Sequence, residues 1–372
     1  MKKLKVVTIV GTRPEIIRLS VLIPRLDQLT DHILVHTGQN NDRNLNEVFF
    51  EDLDLREPDY YLNVDTSSMG NVMGDTLKKS EEVLIKECPD AVMILGDTNS
   101  AIAAVVAERL GIPVYHMEAG NRSFDANVPE ELNRKMVDHI SSFNLPYNDY
   151  SLRNLLAEGI HPRRISKSGS PIKEIFHKHR AKIEASDALE REGLEKGHFI
   201  LCSIHRQENV DLPSRLATVM ESLSSVQETY NLPLLISTHP RTQQRITSLQ
   251  IERPPNLIFH EPFGYLDYCK LQMNAFVVIS DSGTISEESA IMGFPAVSIR
   301  ESIERPESLE TGSTILAGIT KDSVLDAVSA AVALPSATLP DGYEIADFSI
   351  RVTKFLLSTV RLSHKWSGIH KA

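Results

Sequence analysis

Short apolar runs alternate with longer helical patterns along most of the 372-residue chain. Runs such as VVTIV, VMILG and FVVIS are almost entirely apolar, as is typical of parallel strands buried on both faces. Strands separated by helix-length segments indicate βαβ units and parallel sheets covered by helices. The predicted strands are residues 4–9, 33–37, 91–95, 114–117, 165–167, 199–204, 234–238, 257–259, 276–280, 296–299 and 314–316. The alternation predicts an α/β protein with doubly wound parallel sheets.

The length of the chain predicts two domains, because a single hydrophobic core stops growing at about 250–300 residues. A charged, weakly β-forming stretch near residues 169–187 precedes a fresh strand and marks the expected boundary. We predict one Rossmann-like domain at residues 1–170 and a second, nucleotide-binding one at 171–349. Residues 345–366 have helical spacing, and the sequence leaves open which half they pack on.

Charge and cysteine content limit the partners of the chain. A formal net charge of −11 argues against a nucleic-acid partner, whose phosphates need a basic surface. The three cysteines show no C-x-x-C spacing, so we expect a reduced, cytoplasmic protein without a disulfide frame or a metal site. No run approaches the ~18 apolar residues of a membrane span, and the apolar N-terminal run is too short for a signal peptide.

The segment 275–290, AFVVISDSGTISEESA, predicts a phosphate site. An apolar strand runs into Ser282, Gly283 and Thr284, and a helical pattern follows. Such a turn directs backbone N–H groups toward one point, which the helix dipole makes favourable for a phosphate. Glu288, one turn into the helix, is placed to accept hydrogen bonds from ribose hydroxyls. The alternative is an ordinary strand–turn–helix joint with a serine cap.

Charged residues follow the predicted strands of the first half, where open parallel sheets bind their ligands. Arg13 and Arg18 follow the first strand and are candidates for phosphate contacts. Three acidic residues follow later strands or start a helix, and carboxylates that converge raise one another's pKa values, as proton transfer requires. Arg134 is four residues after the last of them and is expected to pair with it; a surface ion pair is the alternative. The three acidic residues are Asp97, Glu118 and Glu130.

The second half places histidines at equivalent positions. His205 and His239 each follow a strand and each have an arginine nearby, so His205 is a candidate to supply charge or a proton to a departing phosphate. Arg305 follows the strand near 296–299, and Phe263 and Tyr268 are candidates to contact a base ring, or else simply seal the domain core. No Walker motif, GxSxG elbow or zinc-ligand spacing is present, and no G-x-G-x-x-G follows the first strand, so no tightly bound nicotinamide is predicted.

Eight ordered motifs resemble those of the non-hydrolysing UDP-N-acetylglucosamine 2-epimerases. The resemblance covers nearly the whole chain and implies a GT-B-like fold: two Rossmann-like domains with a cleft between them, and a C-terminal helix at 350–372 that crosses back onto the first domain. It also implies a homodimer and no cofactor. The motifs are GTRPE at 11–15, GDTNS at 96–100, HMEAGNR at 116–122, PEELNR at 129–134, HRQEN at 205–209, STHPR at 237–241, SDSGTISEE at 280–288 and ERPES at 304–308.

The family's site residues match positions of this chain. Asp97, Glu118 and Glu130 match the proton-transferring carboxylates, Arg134 their cationic neighbour, and His205 the histidine at the diphosphate. The remaining matches are Arg13 at the first strand, Arg18 where most members have lysine, Ser282, Gly283, Thr284 and Glu288 at the phosphate and ribose, Tyr268 near the base, Phe263 at a backbone contact, and Arg305 of the ERPE loop.

Three stretches, at 36–50, 116–139 and 263–272, resemble the branch of the family that makes UDP-N-acetyl-L-fucosamine for capsule or O-antigen. That branch inverts C2 of UDP-2-acetamido-2,6-dideoxy-L-talose, by elimination and re-addition of UDP through a 2-acetamidoglycal. Residues 38–50 also depart from the family stretch associated with an activating substrate-binding site.

Other functions use the same features. A UDP-N-acetylglucosamine 2-epimerase that makes UDP-N-acetylmannosamine has the same motifs, and a GT-B glycosyltransferase has the same fold but less use for three carboxylates. A hydrolysing epimerase releases free UDP. A sugar-nucleotide sensor needs the phosphate turn but not Asp97.

Overall fold

The computed structural model describes residues 3–38, 50–250, 253–334 and 338–368. The chain divides into two compact units: unit 1 comprises Met1–Lys178 with Asp341–Ala372, and unit 2 comprises His179–Pro340. Residues 39–49, which carry most of the 36–50 stretch, lie outside the described ranges. None of the helices in these ranges is long and apolar enough to cross a membrane.

Unit 1 is built on a six-stranded sheet in which every pair of neighbouring strands is parallel. Its strands are β1 (Lys5–Val10), β2 (Asp31–His36), β3 (Tyr60–Tyr61), β4 (Ala91–Leu95), β5 (Val114–Met117) and β6 (Phe143–Leu145). They lie in the order β3-β2-β1-β4-β5-β6. Val7, Val92 and Val114, from the central strands, belong to one buried core. The central strands are therefore buried and mainly apolar, as predicted, although β1 includes Thr8 and β5 includes His116.

The helices of unit 1 start at residues suited to that position. The first has Pro14 in its opening turn, where the missing N–H is no loss. The helix after β3 is capped by Ser68, whose Oγ accepts from the N–H of Asn71. The helices are α1 (Arg13–Leu19), α2 (Ile23–Leu29), α3 (Met69–Glu87), α4 (Ala103–Arg109), α5 (Glu130–Ile140) and α6 (Asp149–Ala157), with 3₁₀ turns at Asn99–Ile102 and Pro162–Arg164. A further helix, α7 (Ile172–Ala185), begins in unit 1 and continues into unit 2.

The predicted strand at 165–167 was wrong. The structure has only an isolated bridge there, between Asn144 and Ile165, and β6 is the edge strand of the sheet instead. Ile165 is the one apolar residue of Ile-Ser-Lys and directly follows a 3₁₀ turn, so the segment has too little apolar surface to extend the sheet. The short strands β3 and β6 were not predicted.

Unit 2 contains a second six-stranded parallel sheet. Its strands are β7 (Ile200–Ile204), β8 (Leu234–Thr238), β9 (Leu257–His260), β10 (Val277–Ser280), β11 (Ala296–Ser298) and β12 (Ile315–Leu316). They lie in the order β12-β11-β10-β7-β8-β9. The helices are α8 (Ala188–Arg191), α9 (Gln207–Val210), α10 (Pro213–Tyr230), α11 (Pro240–Ser248), α12 (Tyr265–Asn274), α13 (Ile285–Met292), α14 (Pro306–Thr311) and α15 (Lys321–Ala333).

The last helices of the chain, α16 (Phe348–Thr359) and α17 (Ser363–Trp366), pack within unit 1. The Tyr115 hydroxyl on β5 lies 2.7 Å from the Thr359 hydroxyl, and the Phe355 ring meets the Tyr115 ring edge-on at 6.1 Å. Nε of Arg25, on α2, donates to the Ser349 hydroxyl at 2.8 Å. The C-terminal segment thus belongs to the core of the N-terminal unit.

The strand order brings the predicted site residues of each unit to one sheet edge. In unit 1, β1, β4 and β5 are neighbours, so Gly11, Gly96 and Glu118 follow adjacent strand ends. In unit 2, β10, β7 and β8 are neighbours, so Asp281 and His205 come next to each other. Ligands of open parallel sheets bind at such carboxyl ends.

Candidate active site

Glu118 lies at the centre of the unit 1 site. A Cβ atom placed on Gly96 would lie 3.8 Å from its Oε2, so the carboxylate sits over the residue that precedes Asp97. Nε of Arg18 lies 3.5 Å from the same oxygen, and Nδ2 of Asn121 donates to Oε1 at 3.3 Å. Glu118 therefore combines an acidic group with a nearby cation at the end of β5.

The backbone of Glu118 is in the left-handed region, with φ of 63°. A residue with a Cβ atom is strained there by roughly 1–3 kcal/mol, and such strain is concentrated at functional sites. Glycine would adopt this conformation freely. Together with the contacts to Arg18 and Asn121, this conformation supports a function for the Glu118 carboxylate.

Asp97 pairs with Arg134, whose Nη2 lies 2.5 Å from its Oδ2. Nδ2 of Asn133 donates to the Asp97 carbonyl at 3.0 Å and so ties the β4 end to α5. Nη1 of Arg134 also donates to Oε2 of Glu131 at 3.1 Å. The predicted partner Glu130 is the half-buried first residue of α5, whereas Glu131 is the buried residue that pairs with Arg134.

Glu131 is a buried acidic residue with a structural role that was not predicted from the sequence. It is buried, and it accepts hydrogen bonds from the backbone N–H (2.9 Å) and the hydroxyl (3.0 Å) of Ser123. Burial raises the pKa of Glu131, but the bonds from Ser123 and Arg134 outweigh it and lower the pKa below its usual range. Glu131 is therefore an ionised anchor for the 121–129 loop and for Arg134.

The two predicted cations that follow β1, Arg13 and Arg18, differ in burial. Arg13 is half-buried at the start of α1, and Arg18 is buried on the same helix, with its guanidinium 5.7 Å from the centre of the Tyr147 ring. Stacking on an aromatic ring fixes the plane of the guanidinium. Arg18 is thus held against Glu118, while Arg13 is the more accessible of the two.

Glu15 is a fully buried carboxyl at the same edge, and the sequence reasoning gave it no role. Its Oε2 accepts from the Gly11 N–H at 3.0 Å and the Thr12 hydroxyl at 2.8 Å, and Oε1 accepts from the Ser100 hydroxyl. Burial raises the pKa of Glu15 to about 7, although these hydrogen bonds partly oppose it. The carboxyl links the β1 turn to the segment after Asp97.

This raised pKa predicts a pH-dependent stability. The contribution of Glu15 to the free energy of unfolding is complete below about pH 4.5, its unfolded-state pKa, and is lost as the pH rises through about 7. The loss is expected to be about 3 kcal/mol at most. Urea unfolding at about pH 5 and about pH 8 measures it, and Glu15→Gln should reduce the difference between the two pH values. An equal difference in both proteins would contradict the assignment.

A buried network lies beneath the unit 1 site and was not predicted. His116 Nε2 lies 2.8 Å from the Gly96 carbonyl, and its Nδ1 lies 2.9 Å from Oδ1 of Asp138. Oδ2 of Asp138 accepts from the Gly120 N–H at 3.1 Å and lies 2.8 Å from Nη1 of Arg122. The network joins the ends of β4 and β5, so it fixes the backbone on both sides of Asp97 and Glu118.

The phosphate turn of unit 2 has the predicted strand–turn–helix form, between β10 and α13. The hydroxyls of Ser282 and Thr284 lie 3.0 Å apart. A Cβ atom on Gly283 would lie 3.4 Å from Nη2 of Arg206, so this guanidinium lies directly beside the turn. Arg206 belongs to the HRQEN motif but was not among the predicted site residues. Together, the turn and Arg206 form a surface suited to an anion.

His205 and His239 lie side by side, with ring centres 6.2 Å apart. The His205 side chain is 41% exposed, and its Nδ1 lies 3.2 Å from Oδ1 of the buried Asp281. The two histidines follow the adjacent strands β7 and β8. The structure thus brings both predicted histidines together and adds a carboxylate behind one of them.

The predicted ribose and base residues lie around α12. Glu288 is half-buried, and its Oε2 accepts from Nε2 of Gln272 at 2.7 Å. The Tyr268 hydroxyl donates to Ser203 at 3.0 Å, and burial raises its pKa. Phe263 is buried in a core cluster and stacks on His260 at 4.1 Å. The Phe263 ring therefore packs in the domain core, and its contact with a base stays a prediction.

Arg305 is buried instead of open to solvent. Its Nη2 lies 3.1 Å from Oε2 of Glu287, which is also buried. This ion pair joins the start of α14 to α13, directly behind the phosphate turn. The structure gives Arg305 a supporting position, and direct contact with a ligand stays a prediction.

Across the described ranges, no group of three or more His, Cys, Asp or Glu side chains is arranged to hold a metal ion.

The two units thus offer different chemistry. Unit 1 presents carboxylates at adjacent strand ends, and carboxyl groups are among the side chains that transfer protons in enzymes. Unit 2 presents a hydroxyl-rich turn with an arginine and two histidines, which is an arrangement for holding a phosphate.

Comparison with known proteins identifies the same family that the sequence motifs resemble. The chain matches the family model described as UDP-N-acetylglucosamine 2-epimerase over residues 25–355. It resembles the structure of a UDP-N-acetylglucosamine 2-epimerase from Rickettsia bellii, with a TM-score of 0.90, 40% identity and 98% of each chain covered. The Methanocaldococcus jannaschii UDP-GlcNAc 2-epimerase, solved in complex with UDP-GlcNAc and UDP, has a TM-score of 0.90, 34% identity, and 95% of this chain and 100% of that chain covered.

A curated relative has another substrate in its name. The UDP-2,3-diacetamido-2,3-dideoxy-D-glucuronate 2-epimerase of Pseudomonas aeruginosa is 34% identical over 362 residues, which cover 95% of this chain and 99% of the relative. The matches extend over nearly the whole chain and confirm the predicted GT-B-like class of two Rossmann-like parallel-sheet units.

Proposed function

Because the chain belongs to the UDP-N-acetylglucosamine 2-epimerase family and is a UDP-sugar 2-epimerase, we propose that it converts UDP-2-acetamido-2,6-dideoxy-L-talose to UDP-N-acetyl-L-fucosamine. The choice of sugar is supported by the sequence stretches at 116–139 and 263–272, which carry Glu118, Asp97's partner Arg134, and Tyr268. The product would serve capsule or O-antigen synthesis.

The observation that supports C2 epimerisation most strongly is the pair of carboxylate–arginine contacts in unit 1. Asp97 lies beside Arg134 and Glu118 beside Arg18, at the ends of adjacent strands. Inversion at carbon needs a proton removed from one face and returned to the other, and more than one carboxyl group suits that task.

The chemistry must avoid direct enolisation, because C2 of an acetamido sugar is not next to a carbonyl. In the proposed reaction a carboxylate removes the C2 proton while the C1–O bond to UDP breaks. The electron pair of the C2–H bond forms the C1=C2 double bond of a 2-acetamidoglycal, and UDP leaves with the electron pair of the C1–O bond. UDP then adds back at C1 as a proton is delivered to the opposite face of C2.

We assign the proton transfers to Asp97, Glu118 and Glu130, which share the base and acid roles. His205 assists the departure of UDP. The diphosphate is held by the turn at Ser282, Gly283 and Thr284, and further contacts come from residues that the resemblance implies: Arg13, Arg18, Arg134, His239, Phe263, Tyr268, Glu288 and Arg305. UDP must stay bound after it leaves the sugar, so several charged groups around the diphosphate are expected.

A second candidate reaction is the interconversion of UDP-N-acetylglucosamine and UDP-N-acetylmannosamine. It is favoured by the names of the relatives from Rickettsia bellii and Methanocaldococcus jannaschii. The same elimination chemistry applies, because both substrates carry an acetamido group at C2. Only the contacts to the rest of the sugar distinguish the two.

A substrate panel in deuterated water tests the proposal. The panel contains UDP-2-acetamido-2,6-dideoxy-L-talose, UDP-N-acetylglucosamine and UDP-2,3-diacetamido-2,3-dideoxy-D-glucuronate, and NMR measures deuterium at C2. We expect kcat/KM to be highest, by about 10²-fold or more, for the 6-deoxy-L-sugar, with UDP still attached to the product. A higher kcat/KM for another member would reject the proposed sugar. Free UDP would indicate hydrolysis, and sugar transfer without deuterium would indicate a glycosyltransferase.

We further propose that the enzyme acts as a homodimer in the cytoplasm, without a metal or redox cofactor. Analytical ultracentrifugation at the enzyme concentrations of the assay measures the oligomeric state, and a monomer with full activity would contradict the homodimer. We expect the enzyme to keep its activity after exhaustive treatment with a chelator, because no metal is required.

A further inference from the structure

Asp281 has no role in the proposed function, yet it is a completely enclosed acid of the unit 2 site. It directly follows β10 and has no exposed surface. Its Oδ2 accepts from the backbone N–H of Arg206 at 3.0 Å and from Nδ2 of Asn209 at 3.2 Å. The backbone N–H of His205 donates to Oδ1 at 3.1 Å. The carboxylate therefore fixes the segment 205–209 to the start of the phosphate turn.

The imidazole of His205 faces the same carboxylate. Its Nδ1 lies 3.2 Å from Oδ1, and Oδ1 also receives the backbone N–H of this residue. An ionised carboxylate only accepts hydrogen bonds, so a proton on Nδ1 satisfies this contact. Nε2 lies on the opposite side of the ring, and 41% of the side chain is exposed. The buried carboxylate thus determines which ring nitrogen faces inward.

We propose that Asp281 is a positioning residue that keeps a proton on Nδ1 of His205 and aims Nε2 at the departing diphosphate. A neutral ring in this state carries no hydrogen on Nε2. When it takes up a second proton there, the carboxylate stabilises the resulting cation, and Nε2–H donates to a phosphate oxygen. Use of this hydrogen bond in catalysis rests on the proposed elimination of UDP, whereas the position of the proton on the ring does not.

The position of the ring proton is measured on the free enzyme, with no substrate. Protein labelled with ¹⁵N-histidine gives long-range ¹H–¹⁵N correlations that distinguish the two neutral tautomers, and the His205→Asn spectrum assigns the signal. At a pH where the ring is neutral, we expect the Nδ1–H tautomer of His205. The Nε2–H tautomer in the wild-type protein would overturn the proposal, whatever the enzyme's substrate.

Two substitutions separate the charge of Asp281 from its packing. Asp281→Asn keeps the shape but places an amide against Nδ1, so we expect a shift toward the Nε2–H tautomer. Asn209→Ser is the matched control, because it removes one hydrogen bond to Asp281 and leaves the carboxylate beside His205. It should keep the wild-type tautomer. A shift in the control but not in Asp281→Asn would contradict the inference.

A kinetic double-mutant cycle tests whether Asp281 acts through His205. In the wild-type background, Asp281→Asn is expected to lower kcat by about 10²-fold with little change in KM. In the His205→Asn background the same change should lower kcat only slightly, because the group that Asp281 positions is absent. Equal losses in both backgrounds would show a merely structural role for Asp281 and would overturn the proposal.

Discussion

Asp97→Asn is expected to abolish exchange of the C2 proton while leaving UDP binding nearly unchanged. Asparagine has the size of aspartate but does not act as a base, so the rate should fall by about 10³-fold or more. Asp97 belongs to unit 1, and the proposed contacts of the diphosphate are mainly in unit 2, so affinity for UDP should survive. Deuterium incorporation by NMR and UDP titration by calorimetry measure the two properties.

The control for this variant is Glu131→Gln. Glu131 pairs with the same arginine as Asp97, but it is buried and serves as an anchor. We expect Glu131→Gln to lower the melting temperature and to retain most of the exchange activity. If Asp97→Asn lost UDP binding instead of exchange, or if both variants lost exchange equally, the role assigned to Asp97 would be wrong.

Substitution of Glu118 by glycine is expected to relieve backbone strain and to inactivate the protein. The residue is held at φ of 63°, so the free energy of unfolding of Glu118→Gly should be about 1 kcal/mol higher than that of Glu118→Gln, which also lacks the charge beside Arg18 but keeps the strain. Loss of the carboxylate should lower kcat by about 10²-fold or more. Urea unfolding and the deuterium assay measure the two effects. This outcome is the trade-off expected when a strained conformation serves catalysis.

Glu118→Gln is the matched variant, because it keeps the backbone strain and removes the charge. It should lose activity as Glu118→Gly does but gain no stability. A gain in stability confined to the glutamine variant would point to charge repulsion instead of backbone strain. High activity in either variant would remove Glu118 from the proton transfers.

The fold was predictable from the sequence because the apolar runs and helical patterns that indicate it are local features of the chain. Central strands such as β4 and β10 are apolar runs with helical patterns on both sides, and polar residues directly follow them. In a parallel sheet the strand ends share one edge, so Asp97 and Glu118 in unit 1 and His205 and Ser282 in unit 2 could be grouped without coordinates. The edge strands β3 and β6 give no such signal, because β3 consists of two tyrosines and β6 is interrupted by Asn144.

Other parts of the site depend on the direction of side chains, which spacing alone does not determine. Glu130 and Glu131 are adjacent in sequence, but only the packing of α5 shows that Glu131 is the buried partner of Arg134. The contacts between His116 and Asp138 and between His205 and Asp281 join residues far apart in the chain. The left-handed backbone at Glu118 has no signature in the sequence.

The central claim is that UDP leaves the sugar and then returns, and isotope scrambling tests it most directly. A UDP-sugar substrate is prepared with ¹⁸O in the oxygen that joins C1 to the β-phosphate, and NMR follows its position during epimerisation. The account predicts that ¹⁸O moves into the non-bridging β-phosphate positions while C2 takes up deuterium from the solvent. Inversion at C2 with ¹⁸O retained entirely in the bridge would contradict it, because the C1–O bond would then never have broken.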